Sequence, residues 1–314
     1  SMEYEWRSRS WKGELRAFIA EIDGLPSDVE LESYPISQTW NMGTGKYNDI
    51  PKIENGCSWK FRLESGSGPW IDGGLDPNES ANYPEDNPGG GTWFTGSIDG
   101  HLVGAQQKLD YASDKDIKMD VTNTLKLIWS GTIDNNGHIV KQFNKNEFKA
   151  SEADSANIKY FSIDTHTIYP PHLDMKVRDA IFSSGSNTII NTQEMVATLA
   201  QNQGEYRRGS IQKFYINCRP QFPERTFSTD SDYNKNFILP QNSYYAIKDL
   251  ATNEFIIDFD EDFTQISADS KGSYFTLYMN GLEPERYYQV LIKTTINGTT
   301  LILDDNYYFK VING

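Results

Sequence analysis

Short runs of alternating apolar and polar residues, each closed by a turn former, recur along almost the whole chain. Residues 15–22 alternate and end at Gly24-Leu25-Pro26, and residues 57–63 place their apolar side chains on one face. Successive side chains of a strand point to opposite faces, so a period of two is typical of half-buried strands. The pattern predicts a mostly β protein.

The alternation is most regular in the last hundred or so residues. Residues 282–288 add a corner turn before a strand that begins with tyrosines, and Asn297-Gly298 predicts a hairpin. Six or seven strands in about a hundred residues match the size and spacing of an immunoglobulin-like β-sandwich. The segments that alternate are 210–217, 244–248, 255–259, 274–279, 287–295 and 307–312.

Two segments depart from the strand pattern and predict short helices. Thr122 or Asn123 is a candidate helix cap, apolar residues follow at positions 125, 128 and 129, and Ser130-Gly131 predicts the end of a short helix. Residues 191–200 predict a second short helix, followed by a polar hinge. The organisation predicted is a first sandwich in residues 1–182, a linker in 183–209 and an immunoglobulin-like sandwich in 210–314.

A long segment rich in glycine, proline and asparagine interrupts the first module at residues 64–91. Loops of this length are usually functional or disordered. Trp70 and Tyr83 lie within it and Trp93 follows it. These three are candidates for a platform on which sugar rings stack, since exposed aromatic rings suit the apolar faces of sugars. The alternative is that they anchor the loop to the core or to a neighbouring subunit. Three other tryptophans are predicted to lie in the core: Trp40, Trp59 and Trp129.

Charge and composition exclude several kinds of partner. The formal charge is -15, and a field of that sign repels phosphate backbones, which argues against nucleic acid. No apolar run approaches the roughly 18–20 residues needed to cross a bilayer, and no basic-then-apolar leader opens the chain. Cys57 and Cys218 stand far apart, which argues against a disulfide framework or a zinc site.

The densest group of carboxylates is a candidate for calcium. A calcium loop of the EF-hand type needs Gly at its sixth position and Glu at its twelfth, and counting from Asp258 these positions hold Phe263 and Asp269. Asp258, Asp260 and Asp262 therefore remain candidates only for an irregular calcium site. The competing interpretation is a strand end that turns solvated carboxylates outward.

Residue motifs argue against an enzyme. The chain has no Gly-x-Ser-x-Gly elbow, no phosphate loop and no His-Glu-x-x-His motif. With 44 acidic residues, some pair will always satisfy a loose search for glycosidase carboxylates. His166 and His172 are the closest histidines, but the intervening Pro170-Pro171 argues against a shared metal. We predict a protein without catalytic residues or a cofactor.

A set of short motifs lies between residues 15 and 180. They are Asp120-Val121-Thr122, Trp129, Gly131, Asn136-Gly137, residues 36–40, residues 55–59, Phe161-Ser162 and residues 169–176. These motifs resemble a family of carbohydrate-binding modules of the DNRLRE type. The resemblance implies a jelly-roll-like sandwich for the first module and recognition of a cell-surface polysaccharide as one function of the chain.

Three segments, 242–245, 269–275 and 281–287, carry a second resemblance, which extends over residues 15–313. In these segments the chain is similar to virion structural proteins of marine tailed phages of the cyanomyovirus kind. It implies a non-catalytic component of a tail, neck, baseplate or fibre, made in the host cytoplasm and located in the virion. Its expected partners are other virion proteins or further copies of itself, with a host surface glycan as the alternative.

Overall fold

A computed structural model describes residues 10–24, 28–46, 49–64, 68–70, 79–81, 90–142, 157–164, 167–224 and 235–314. About half of the described residues are in strands and very few are in helices, so the predicted mostly β class is confirmed. The jelly-roll and immunoglobulin-like topologies stay predictions. The chain forms two compact units: the first unit is Trp11–Met175, and the second unit is Lys176–Gly314 together with Ser10.

The first unit contains two three-stranded sheets, of order β12-β1-β9 and β10-β3-β8, and the strand pairs β11-β2, β4-β5 and β6-β7. The last residues of β12 already belong to the second unit. The strands are β1 (Trp11–Ala17), β2 (Ile19–Asp23), β3 (Asp28–Pro35), β4 (Glu79–Ala81), β5 (Thr92–Phe94), β6 (Ser97–Ile98), β7 (His101–Leu102), β8 (Ala105–Asp110), β9 (Ile117–Asp120), β10 (His138–Gln142), β11 (Asn157–Tyr160) and β12 (His172–Val177).

Alternation along β3 and β9 builds the core of the first unit. Val29 and Leu31 of β3 pack with Leu109 of β8 and with Ile117 and Met119 of β9, and all five are buried. The residues between them on β9 are exposed, as a period of two requires.

One α-helix lies among the described residues, α1 (Thr122–Ser130), where the sequence predicts it. Asp120 Oδ1 accepts the Thr122 N–H at 3.0 Å, and the chain leaves the helix at Gly131 with φ of 78°, a conformation that glycine adopts without strain. A Cβ added to Gly13 of β1 would meet Leu125 Cδ1 at 2.2 Å. The helix therefore lies directly against β1. No helix in the described residues is long and apolar enough to span a membrane.

The second unit is built from two larger sheets. One has the order β13-β17-β16-β21-β20 with β14 also on β16, and the other has β15-β24-β22-β18-β19 with β23 also on β22. The strands are β13 (Thr188–Ile189), β14 (Met195–Ala200), β15 (Glu205–Arg207), β16 (Ile211–Pro220), β17 (Phe237–Ile238), β18 (Ser243–Asp249), β19 (Phe255–Ile257), β20 (Ser267–Asp269), β21 (Gly272–Tyr278), β22 (Arg286–Ile296), β23 (Thr299–Leu303) and β24 (Tyr308–Ile312).

Aromatic rings from both sheets meet in the core of the second unit. Phe275 of β21 stacks on Phe214 of β16 with centroids 5.2 Å apart, and on Tyr245 of β18 in the opposite sheet at 4.4 Å. Phe309 of β24 packs on Phe214 at 5.5 Å and is fully buried. These contacts across the two inner faces make the second unit a β-sandwich.

The helix predicted for residues 191–200 is wrong. Met195–Ala200 is β14, antiparallel to β16, and it buries Met195 and Ala197 while Val196 is only partly covered. Alternate burial along the edge of a sheet favours the strand for this sequence, because a helix would place those two side chains on different faces. The segment predicted to be a linker, residues 183–209, holds three strands of the second unit.

A buried tyrosine fixes the corner before β22, where the sequence predicts a turn. Tyr288 donates its hydroxyl hydrogen to Glu283 O at 2.9 Å, and burial raises the pKa of Tyr288 to about 12.

We expect Tyr288→Phe to destabilise the second unit by about 1 kcal/mol, because the carbonyl loses its donor. Urea unfolding followed by circular dichroism measures the loss. The neighbouring Tyr287 is half exposed, so Tyr287→Phe is the control and should change stability little; equal losses in both variants would contradict the role of the corner.

Candidate functional site

The segment after β3 forms a loop of irregular backbone, here called the tryptophan loop (residues 37–70, of which 37–46, 49–64 and 68–70 are described). Its described residues are tied together by backbone hydrogen bonds. Asn41 N–H donates to Arg62 O at 2.9 Å, and Cys57 N–H donates to Asn41 O at 2.7 Å. The Trp70 N–H donates to Lys60 O at 3.2 Å. Because distant parts of the loop are joined in this way, its side chains stand on a fixed backbone.

Two glycines, Gly43 and Gly56, allow two backbone segments of the loop to approach each other closely. Gly43 has φ of 75°, and a Cβ there would meet Gly56 Cα at 2.6 Å. A Cβ on Gly56 would in turn meet Met42 O at 2.5 Å. Neither position has room for a larger residue.

We expect Gly43→Ala to distort the loop, whereas Gly96→Ala, at the same φ of 75° but with nothing within 4 Å of the added Cβ, should not. Both changes carry the cost of a left-handed alanine, about 1–2 kcal/mol, and only Gly43→Ala adds a clash. Urea unfolding followed by tryptophan fluorescence should show a larger loss for Gly43→Ala and an altered native spectrum. Identical behaviour of the two variants would mean that the loop is loosely held.

The polar edges of two tryptophans are fixed by main-chain acceptors. Trp40 donates its indole N–H to Asn136 O at 2.7 Å, and Trp70 donates to Ser58 O at 3.1 Å. Trp40 remains exposed and Trp70 is half-buried. The rings are thus held in place by hydrogen bonds and not by deep burial.

The tryptophan loop presents a group of apolar side chains to solvent. Ile50 is 96% exposed and Met42 is 67% exposed. The loop also departs from the charge of the chain, since its four basic and three acidic residues give a net charge of +1 against -15 overall. Exposed apolar side chains thus recur along the loop, and apolar surface that forms one exposed patch marks an interaction site. The exposed members are Trp40, Met42, Ile50, Ile53 and Trp59.

The predicted sugar platform is not assembled as the sequence suggested. Trp93 lies on β5 and is only 2% exposed, so its role as a stacking surface is wrong. Tyr83 lies outside the described residues, and Trp70 is half-buried within the loop. The prediction that Trp40, Trp59 and Trp129 lie in the core is also wrong, because all three are exposed.

Trp93 covers a buried ion pair on the face of β3 opposite the core. Lys141 Nζ lies 3.0 Å from Glu32 Oε2 and 5.5 Å from the centre of the Trp93 ring. Gln106 and Tyr34 donate to Glu32 Oε1 at 3.0 and 3.2 Å. Burial, together with the Glu32 charge, raises the pKa of Tyr34 to about 12. This network explains why Trp93 is buried.

A second group of rings, the ring cluster, lies where β1, β2 and β12 meet. Phe18 packs on Tyr169 at 5.2 Å and on His172 at 5.5 Å, and Phe161 stacks on Tyr169 at 6.2 Å. Its members are Phe18, Phe161, Tyr169 and His172.

Two charged groups border the ring cluster. Asp174 Oδ1 lies 3.3 Å from His172 Nε2, and Asp174 Oδ2 lies 4.0 Å from Arg16 Nε. The hydrogen bond to Asp174 raises the pKa of His172. His172 is therefore engaged by Asp174 and by the carbonyl of Pro170, while His166 lies outside the described residues.

Two of the three calcium candidates accept hydrogen bonds from nearby backbone N–H groups. Asp260 Oδ1 accepts the N–H groups of Asp262 and Phe263, at 2.9 and 3.1 Å, and Asp258 Oδ1 accepts the Phe259 N–H at 2.7 Å. Asp262 faces Arg178 at 3.8 Å. Within the described ranges no three His, Cys, Asp or Glu residues are grouped to hold a metal. Asp258 and Asp260 thus cap the backbone of a turn, and an irregular calcium site at Asp258, Asp260 and Asp262 stays a prediction.

Comparison of the chain with models of protein families, with curated proteins and with solved structures finds no match.

Proposed function

We propose that the chain is a non-catalytic structural protein of a phage virion, in a tail, neck, baseplate or fibre, and that it acts through protein–protein assembly. The observation that carries the proposal is the fixed tryptophan loop with its exposed apolar side chains. The similarity of residues 15–313 to virion structural proteins supports the virion as the place where the protein assembles. In this proposal the protein is made in the host cytoplasm and ends in the particle.

Covering the loop with a partner would release considerable free energy. A fully buried isoleucine or methionine contributes about 1.5–3 kcal/mol, and tryptophans are enriched among the residues that dominate interfaces. Hydrogen bonds already fix the backbone of the loop and the indole of Trp40. Little ordering is left to oppose binding, which favours a tight contact.

Assembly is tested in a phage whose genome encodes this chain, by replacing the gene with variants. We expect Ile50→Asp to lower the amount of the protein in purified particles at least about tenfold, equivalent to about 1.4 kcal/mol. The control is Tyr111→Asp, which adds the same charge at a residue that is 93% exposed and outside the loop. Equal incorporation of both variants, or particles that lack the wild-type protein, would refute the proposal.

A second function, recognition of a neutral polysaccharide, is favoured by the ring cluster. Rings that offer apolar surface beside an arginine and a carboxylate match a sugar, whose ring stacks while its hydroxyls bind the charged groups. Arg16 and Asp174 supply those groups beside Phe18 and His172. The overall charge of -15 favours neutral over anionic glycans.

A glycan array with neutral polysaccharides tests the second function. We expect the wild-type protein to bind a neutral polysaccharide on the array. Tyr169→Ala should abolish this binding and Tyr169→Phe should preserve it, because stacking needs the ring and not the hydroxyl. Loss of binding in Trp40→Ala but not in Tyr169→Ala would place the sugar on the tryptophan loop instead. A wild-type protein that binds none of the arrayed polysaccharides would contradict this hypothesis.

A further inference from the structure

We infer that two copies of this chain pair through β23 (Thr299–Leu303), an edge strand of the second unit, as antiparallel neighbours related by a two-fold axis. Among the described strands, β23 pairs with β22 alone. The inference goes beyond the proposed function, because it uses a different surface from the tryptophan loop. A two-fold contact brings the same surface of both copies together, so that surface must complement itself.

The hydrogen-bond pattern of β22 leaves main-chain groups of β23 pointing away from the sheet. β23 and β24 lie on the same side of β22, since β18 occupies the other. On that side Val290 N–H donates to Tyr307 O at 2.8 Å, and bonded and unbonded pairs alternate along antiparallel strands. Leu301 is therefore bonded to β22, whereas the N–H and C=O groups of Thr300 and Ile302 point outward.

These outward groups are open to a partner. Thr300 is exposed, and Ile302 is 60% exposed. Within the described ranges neither residue has a main-chain partner on its outward side. β23 holds no charged residue and no proline. An edge strand with unpaired N–H and C=O groups and none of these protections pairs readily with another strand.

The other described edges of the second unit are short, charged or covered. β13 has two residues and β19 has three, and β15 carries Glu205 and Arg207. β20 is bonded on its outer side to residues 181–183. On β14, Ala197 is 1% exposed and its carbonyl accepts the Tyr307 hydroxyl at 3.4 Å. β23 is thus the longest edge that the described part of this unit leaves open.

One register uses every outward group of both copies. With the two-fold axis at Leu301, Thr300 of each copy lies opposite Ile302 of the other, and such pairs exchange both of their hydrogen bonds. An axis at Thr300 or at Ile302 would instead place one outward residue beyond the end of the other strand. No like charges meet in the first register, because Asp304-Asp305 falls opposite the turn residues Asn297-Gly298 of the other copy.

Sedimentation equilibrium on the full chain is the first test. We expect the average mass to rise from 35.8 kDa toward twice that value as the concentration approaches about 1 mM, because contact through one edge strand is small. Raising the ionic strength from about 0.05 to about 0.5 M should strengthen the dimer, because salt screens the repulsion between two acidic chains. A wild-type protein that stays monomeric at every concentration and salt overturns the inference.

Two substitutions at one position separate main-chain pairing from apolar contact. Ile302→Pro removes an N–H that the fold does not use, and proline is tolerated where an edge strand turns that group to solvent. It should weaken the dimer at least about tenfold. Ile302→Thr keeps the N–H and should retain most of the affinity, and circular dichroism checks that both variants fold. Equal losses in the two variants would contradict strand pairing. If Ile302→Pro still enters particles while Ile50→Asp does not, the proposed function stands without this contact.

Cross-linking tests the register. In a Cys57→Ser background, Leu301→Cys should form a disulfide between copies on oxidation, because facing residues of an unbonded antiparallel pair have Cα atoms about 4.5 Å apart. Thr300→Cys is the control and should stay uncrosslinked, since its two copies lie diagonally, about 7–8 Å apart. Cys218 is buried. A non-reducing gel separates the products, and a covalent dimer of Thr300→Cys but not of Leu301→Cys would refute the register.

Discussion

Lys141→Ala is expected to destabilise the first unit by about 3–5 kcal/mol, because Glu32 would remain buried without its cation. The side chains of both partners are almost completely buried, with 3% and 4% exposed, and their atoms lie 3.0 Å apart. Six of the seven tryptophans lie between residues 11 and 129 and none lies beyond. Urea unfolding followed by tryptophan fluorescence therefore reports this unit.

The double variant Glu32→Gln with Lys141→Met is the control for the ion pair. It removes both charges and keeps comparable volume, so most of the lost stability should return. The amide of Gln106 and the hydroxyl of Tyr34 can still donate to the new side chain at position 32. A single variant that loses less than about 1 kcal/mol would show that water reaches Glu32 and that the pair is not buried.

Arg286→Ala is expected to cost the second unit a similar amount, about 3–5 kcal/mol. Arg286 holds Asp249 through two bonds, Nε to Oδ2 at 2.6 Å and Nη2 to Oδ1 at 2.9 Å, and the Asp249 side chain is 2% exposed. Hydrogen exchange of peptides from β18 and β22 measures the loss in this unit. Arg286→Lys keeps the charge but cannot form both hydrogen bonds to Asp249. Its exchange rate should therefore lie between those of the wild type and Arg286→Ala. Equal exchange in all three proteins would show that the ion pair contributes nothing.

The same ion pair predicts how the second unit responds to acid. Burial alone would raise the pKa of Asp249, but the Thr252 N–H and Arg286 outweigh burial and hold it below its usual value. Its contribution is therefore present above the unfolded pKa of about 3.9 and is lost as pH falls through the folded value. In Arg286→Ala this loss of stability in acid should be smaller.

Local patterns in the sequence predicted much of the fold. The apolar patterns of residues 274–279 and 287–295 anticipate β21 and β22, although both strands lie inside their sheets and bury consecutive residues over part of their length. The turn residues Ser130-Gly131 anticipate the end of α1. The tyrosines after residue 282 anticipate the corner that Tyr288 closes.

The sequence did not indicate which tryptophans are buried and which are exposed. A period of two shows which side chains share a face, but not which face another element covers. Trp93 is buried because Glu32 and Lys141, 109 positions apart, meet beneath it. Trp40 is exposed because the carbonyl of Asn136, far along the chain, fixes its indole outside the core.

Quantitative mass spectrometry of purified phage particles tests the central claim most directly, that this chain is a part of the virion held there by its tryptophan loop. The predicted result is a fixed number of copies relative to the other particle proteins, strongly reduced by Ile50→Asp and unchanged by Tyr111→Asp. Particles in which the protein is absent, or in which its amount varies from preparation to preparation, would contradict the claim.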